Sequence, residues 1–484
     1  MTQAEAQERI NKRIEELMSG INAGDFNDPY HIPDKYTYDH LLALYVYNQV
    51  IENGSELYLN MYRLVTAYAT QCVRKRYKKN SKVTVIIEVI SASQWACEDI
   101  YRTLNSDPRF DISILVLPQT TLEGDDSVKR YQACYKYFAD HGYNVKGGMD
   151  VSSGKIYSFD ELGGYPDIAI HSSPWFESFP EELVITALPL TTLNISINYG
   201  ICVADNPEGT YLAHTQFNKS MHNMVWRCYA HDLYEMQCYK QYQFLKGENV
   251  RFTGYAKMDR MYEHKDFSDD DYRRLWAIPE GKDPSSFKKL IVAPHFTVGF
   301  SGLIHYSTFH MNMNFLLYIA QKYSDSVSFV YKPHPNLRSS SVRAGLFRSV
   351  EEYDEYVSRW EELPNATSMV ESDYIDLFRT SDGMILDSGS FIAEYLYTRK
   401  PVLFLRRPDQ AFNELGKAII DSYYTAPGWD YTQIEKWIEE VILSGNDTKK
   451  HDRAVVFKNN LDYYSINKCS ASKSICNDII SIIS

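Results

Sequence analysis

The chain has 484 residues, 44% of them hydrophobic and 23% charged, which is the balance of a soluble globular protein and excludes disorder. At about 150 residues per domain it predicts two or three domains. A formal net charge of −13 excludes nucleic acid as the main partner, because that binding needs a basic face to displace counterions from phosphates.

Residues 1–80 have helical spacing, with Ile10, Ile14 and Leu17 and later Leu41, Leu42, Tyr45 and Val46 at helical offsets. This extension closes on the basic run Arg74, Lys75, Arg76, Lys78, Lys79, either a solvated helix end or a docking patch for anionic lipid. From Lys82 the pattern changes. VTVIIEV is a continuous β-branched run, as expected of a parallel strand buried on both faces. A helix through Cys97–Leu104, the strand DISILVLP, a helix over Val128–His141 and the strands near Tyr143–Val145, PDIAIHSSP and TTLNISINYG continue the alternation. After the strand and turn NVRFTGYAKMDRMY, a second alternation starts at LIVAPHF and passes through SVSFVYKPHP, MILDSGS and PVLFL. Two Rossmann-like α/β halves with parallel sheets follow from it, and Tyr431–Ser484 reads as mainly helical.

Eight cysteines without a CxxC pair read as reduced thiols, so neither a metal nor a cofactor is expected. With no signal-peptide pattern and no run of about 18 apolar residues, the expected location is cytoplasmic.

Ligands in open α/β sheets sit at the carboxyl ends of strands. In the second half those positions hold His295 and Thr297, then Lys332, His334 and Arg338, then Asp387, Ser388, Gly389 and Ser390, then Arg406 and Arg407. Imidazoles, cations and a glycine-containing helix start at neighbouring strand ends describe a pocket for a diphosphate, since the helix start offers unpaired N–H groups and roughly half a positive charge. Ser388–Ser390 read equally as a plain turn with an N-cap. Glu394, one turn further, faces solvent or clamps ribose hydroxyls. In the first half Ser93, Gln94, His171 and Tyr199 are the acceptor-side candidates, and a general base is open among these and Asp205, His214 and His222.

FTGYAKMDRMY, APHFT, VYKPHPNLR and DYIDLFRTSDGMILDSGSFIAEYLYTRKPVLF, in this order over Lys82–Phe412, resemble the CDP-glycerol glycerophosphotransferases that build teichoic-acid-like polymers. The resemblance implies a GT-B fold, two Rossmann-like domains facing a cleft. It divides the chain into an N-terminal helical extension (1–80), an acceptor-side domain (81–255), a donor-binding domain (256–430) and C-terminal helices (431–484). It implies transfer of a glycerol-phosphate or related unit from CDP-glycerol or another nucleotide-activated donor to a hydroxyl of a polysaccharide or lipid-linked acceptor, with peripheral contact at the inner membrane face. His334 and Arg338 would contact the diphosphate and stabilise the leaving group. Ser388, Gly389 and Ser390 would cradle the same phosphates, with Thr297 nearby. Two departures stand out: Asn198-Tyr199-Gly200 where the family has His-Gly-Thr, and Asp-Ser-Gly-Ser where it has Asp-Tyr-Ser-Ser. DSGSFIAEYLYTRKPVLFLR also resembles a segment of the UDP-N-acetylglucosamine 2-epimerases, which keeps an epimerase or sugar transferase as the alternative.

Overall fold

The structure is a computed structural model that describes residues 2–28, 30–50, 55–121, 124–299, 304–369 and 373–484. The chain forms two compact units. The first comprises Met1–Gly200, Phe217–Lys257 and Tyr463–Ser484, and the second Ile201–Gln216 and Met258–Asp462.

The first unit holds a sheet of strands β1 (Val83–Val89), β2 (Phe110–Val116), β3 (Val145–Gly147), β4 (Ile168–His171), β5 (Leu193–Ser196), β6 (Arg227–Ala230) and β7 (Val250–Phe252). Their order is β3-β2-β1-β4-β5-β6-β7, and every pairing is parallel. In β1 only Thr84 is exposed, which is why the run lacks strand alternation: helices cover both faces. The N-terminal helices are bolted to this sheet by tyrosines. Tyr38, Tyr58 and Tyr62 each bury the ring and donate the hydroxyl to a main-chain carbonyl, of Thr192, Asn223 and Val225 respectively. The last helix, Ala471–Ser481, returns to the same unit, where Asp478 pairs with Arg227 and accepts from the Tyr229 hydroxyl.

The second unit repeats the plan with β8 (Lys288–Ala293), β9 (Val327–Tyr331), β10 (Ala366–Ser368), β11 (Gly383–Leu386), β12 (Val402–Arg406) and β13 (Tyr424–Pro427). The order is β10-β9-β8-β11-β12-β13, again all parallel. One face buries Leu290, Val292, Phe329, Tyr331, Leu403 and Leu405 against Phe309, Tyr356, Trp360 and Trp437. In both sheets the winding direction reverses between the first and fourth strands, at β1/β4 and at β8/β11, and such a reversal opens a crevice beyond the strand ends.

The segment 201–216 lies between β5 and β6 in sequence yet packs in the second unit. Ala204 forms an antiparallel bridge with Phe412, and Asn413 donates to the carbonyls of Val203 and Cys202. A Cβ on Gly416 would stand 2.4 Å from the Val203 carbonyl oxygen, so only glycine admits this segment. Among the described residues no helix is long and apolar enough to cross a membrane.

Candidate functional site

The crevice at β8/β11 is built on Asp387, the first residue past β11. It is 2% exposed and accepts from the His295 N–H at 2.6 Å and from the Thr308 N–H and hydroxyl at 2.5 and 2.9 Å. Burial pushes its carboxyl up to about 6 against the pull of those hydrogen bonds. Asp387 therefore ties the chain after β8 to the end of β11 from inside the protein.

That tie places His295. Thr297 Oγ1 accepts from the N–H groups of Tyr306 and Ser307 at 2.9 and 3.3 Å, so its own proton is directed to His295 Nδ1, 2.9 Å away. Hydrogen-bond geometry thus assigns the ring proton of His295 to Nε2. Burial, with His334 beside it, holds this imidazole well below its ordinary range, so it is neutral at neutral pH. His334 follows β9 and repeats the arrangement. Its Nδ1 accepts from the Asn336 N–H at 3.1 Å, which leaves Nε2 as the nitrogen that carries a proton. The two imidazoles lie 5.4 Å apart, and Phe296 packs 4.5 Å from His334.

Across the crevice the helix Gly389–Leu396 begins immediately after the turn, and its N-cap residue Ser388 makes no side-chain cap bond. The Tyr306 ring joins the two sides. It stands edge-on to His295 at 5.5 Å, and a Cβ placed on Gly389 would lie 3.8 Å from it and 3.9 Å from Val203. Those are ordinary contacts. The Gly389 φ is outside the left-handed region, so neither backbone nor packing demands glycine, and the missing side chain leaves room for an approaching atom. Ser388 is buried and Ser390 exposed.

Lys332 and Glu394 are buried at 5% and 2% exposure and meet at Tyr374, whose ring lies 5.3 Å from the lysine ammonium and whose hydroxyl donates to Glu394. Arg338 lies on the next helix and forms a bidentate pair with Asp354 at 2.7 Å, both side chains half exposed. Arg407 is tied to Asp409 and to the Ser307 carbonyl. Sequence reasoning did not single out Tyr306 or Thr308. Nothing in HYSTF marks a wall residue, because Tyr306 reaches the site from a loop that returns to the strand end.

In the first unit Ser93 and Gln94 lie in the turn after β1, where the Ser91 and Ser93 hydroxyls pair at 2.8 Å. Tyr199 follows β5, and its hydroxyl accepts from Trp175 Nε1 at 3.2 Å. His171 is drawn inside instead. At 1% exposure it bonds Glu88 at 2.6 Å and Asn194 at 2.9 Å. Burial opposes its protonation, but the Glu88 carboxylate outweighs that and raises its pKa. His222 is fully buried and pushed down to about 3. The His214 side chain lies outside the described residues. Among the described residues no cluster of three or more His, Cys, Asp or Glu could hold a metal.

No family model matches the chain and no curated protein sequence matches it. Among solved structures, a histidine-to-alanine variant of the wall teichoic acid polymerase TagF matches at 10% identity, covering 92% of this chain and 97% of that one with a TM-score of 0.53. A histidine-to-asparagine variant of the same polymerase matches at 11% identity over 92% and 97%, with a TM-score of 0.51. UDP-GlcNAc 2-epimerase from Neisseria meningitidis bound to UDP-GlcNAc matches at 13% identity over 83% and 100%, with a TM-score of 0.47. With the two parallel sheets, the polymerase matches establish the fold: the chain has the GT-B architecture of two Rossmann-like domains.

Proposed function

We propose that the chain is an enzyme acting on a nucleotide-activated donor, whose paired phosphates are held in the second unit. The observation that carries this reading is the crevice at β8/β11. Two imidazoles with their Nε2 protons assigned, His295 and His334, stand there with the uncapped helix start at Gly389, and Tyr306 touches both sides. Imidazole N–H donors and a helix start suit a diphosphate, each charge-assisted hydrogen bond contributing about 1.5–3 kcal/mol. Lys332 adds a buried positive charge near Glu394, which faces the ribose in this reading.

The reaction we assign is transfer of a glycerol-phosphate or related polyol or sugar unit from a CDP-activated donor to a hydroxyl of a cell-surface polysaccharide or teichoic-acid-like acceptor. The acceptor oxygen loses its proton and forms a bond to the outer phosphorus. The bond from that phosphorus to the bridging oxygen breaks, and CMP departs with its charge met by His334 and the helix N–H groups. Arg338 joins them once its pair with Asp354 opens. Ser93, Gln94 and Tyr199 serve the acceptor side. Such an enzyme works in the cytoplasm and meets a lipid-linked acceptor peripherally at the inner membrane face.

The Asn198-Tyr199-Gly200 segment, without a histidine, favours a second reading: another GT-B nucleotide-sugar enzyme, a glycosyltransferase or an epimerase of the 2-epimerase kind. One experiment separates them. The protein is incubated with CDP-glycerol, UDP-sugars and CMP-sugars, and the released nucleotide is identified. CMP from CDP-glycerol supports the assignment, whereas an epimerised sugar still attached to UDP moves it to the second reading. If none of these donors binds or turns over, the enzymatic interpretation falls.

A further inference from the structure

A cavity of about 570 Å³ lies within the second unit; Arg406 of the strand-end cations lines it, but His295, His334 and Gly389 do not. One wall is the segment from Asp205 to Gly209, another is the end of β12 with the loop 410–412, and a third is the helix Glu414–Asp421. Tyr306 separates this space from the donor crevice. Its hydroxyl donates to the Ala411 carbonyl, its carbonyl accepts from Gln410 Nε2 at 2.8 Å, and its ring faces Gly389.

Two cations line the cavity, Arg406 and Lys417. In a chain with 63 acidic and 50 basic residues, neither has a carboxylate in ion-pair range among the described residues. Arg406 lies 5.6 Å over the Phe412 ring, a cation–π contact that leaves its N–H groups for an anion. The lining also carries Asp205, Asn206 and Asp421. Gln410 is 9% exposed, spends both amide protons on the carbonyls of Tyr306 and Leu405, and leaves Oε1 buried without a partner. A buried acceptor of this kind costs about 1–3 kcal/mol until a donor reaches it.

The chemistry is thus divided, with cations for one end of a ligand and acceptors for the other. We propose that this cavity binds a small phosphate ester. Its phosphate sits between Arg406 and Lys417, and its far end donates hydrogen bonds to Gln410, Asp205 and Asp421. Bare phosphate satisfies only the first half of the lining and is repelled by the carboxylates. The far-end donor is either a hydroxyl or an ammonium group.

Calorimetric titration tests this with glycerol 3-phosphate, phosphoethanolamine and inorganic phosphate on the wild type, Lys417→Glu, Arg406→Met and His334→Ala. Lys417 is exposed, so its reversal leaves the fold intact, which a melting curve verifies. The expected result is that at least one ester binds more tightly than inorganic phosphate. Its binding is weakened about tenfold or more in Lys417→Glu and Arg406→Met and is unchanged in His334→Ala. The tighter ester identifies the far-end group. The proposal is overturned if neither ester binds the wild type, if inorganic phosphate binds as tightly as both, if both cavity variants bind as the wild type does, or if only His334→Ala abolishes binding.

Discussion

The strand ends of the two units carry similar side chains and use them in opposite ways. At the end of β4, His171 is enclosed at 1% exposure between Glu88 and Asn194, and both its ring nitrogens are spent on the sheet itself. Past β9, His334 takes the Asn336 N–H on Nδ1, and past β8, His295 pairs through Nδ1 with Thr297. The polar framework of the second unit rests on Asp387, which holds the His295 and Thr308 N–H groups. In the reading proposed above, a histidine at a strand end belongs to the scaffold or to a site according to which residue holds the loops.

The comparison is broken most directly at its two histidines. His334→Ala should lower turnover by about 10²–10⁴-fold, the range for removing a positioned proton donor, while stability changes by less than about 1 kcal/mol. Wild-type turnover in the product assay would remove His334 from the site. His171→Ala should do the reverse, leaving the Glu88 carboxylate buried without its partner and destabilising the protein by about 3–5 kcal/mol. Calorimetry should show a lowered transition, and donor affinity should stay as in the wild type. A loss of affinity with unchanged melting would make His171 a site residue after all.

The scaffold was readable in the residues to a larger extent than the site. Runs such as VTVIIEV and LIVAPHF announce buried parallel strands because they lack alternation, and SDGMILDSGSFIAEYLYTRKPVLFL contains a strand, a helix and a strand that the structure places at Gly383–Leu386, Gly389–Leu396 and Val402–Arg406. The helix starts two residues before its apolar spacing does, because its first turn is the small-residue turn itself. What stayed hidden is the direction of each strand-end side chain. Asp387 and Ser388 are neighbours in sequence, yet the carboxylate of Asp387 turns inward to Thr308, a partner 79 residues away. The return of 201–216 to the second unit was equally hidden. Only the close approach at Gly416 records it, and no local pattern distinguishes that glycine from any other.

Asp387 sharpens the contrast between framework and site. Asp387→Ala leaves the buried N–H groups of His295 and Thr308 without an acceptor and should cost about 2–4 kcal/mol. Its pH dependence has a definite sign. Burial raises the carboxyl to about 6 in the folded state, above an unfolded value of about 3.9. The folded protein therefore binds more protons in that window, and this residue's contribution to stability falls as pH rises from about 4 to about 6 and is level above it. Subtracting the Asp387→Ala curve from that of the wild type isolates the slope. A flat difference across the window would mean that the carboxyl is not buried as described.

The smallest change is the most discriminating. Gly389→Ala adds one methyl group at 3.8 Å from Tyr306 and 3.9 Å from Val203, distances the protein already tolerates, at a φ that any residue adopts. Replacing a helical glycine by alanine should then raise stability by up to about 1 kcal/mol. The same methyl group stands where a phosphate oxygen would approach the first N–H groups of the helix, so donor affinity should weaken by about tenfold, equal to about 1.4 kcal/mol. Stability and affinity moving in opposite directions is a result that no purely structural role for Gly389 produces. If both rise, or if affinity measured by titration with the nucleotide donor is unmoved, the helix start holds no phosphate. The imidazoles of His295 and His334 would then have to bind the donor without it.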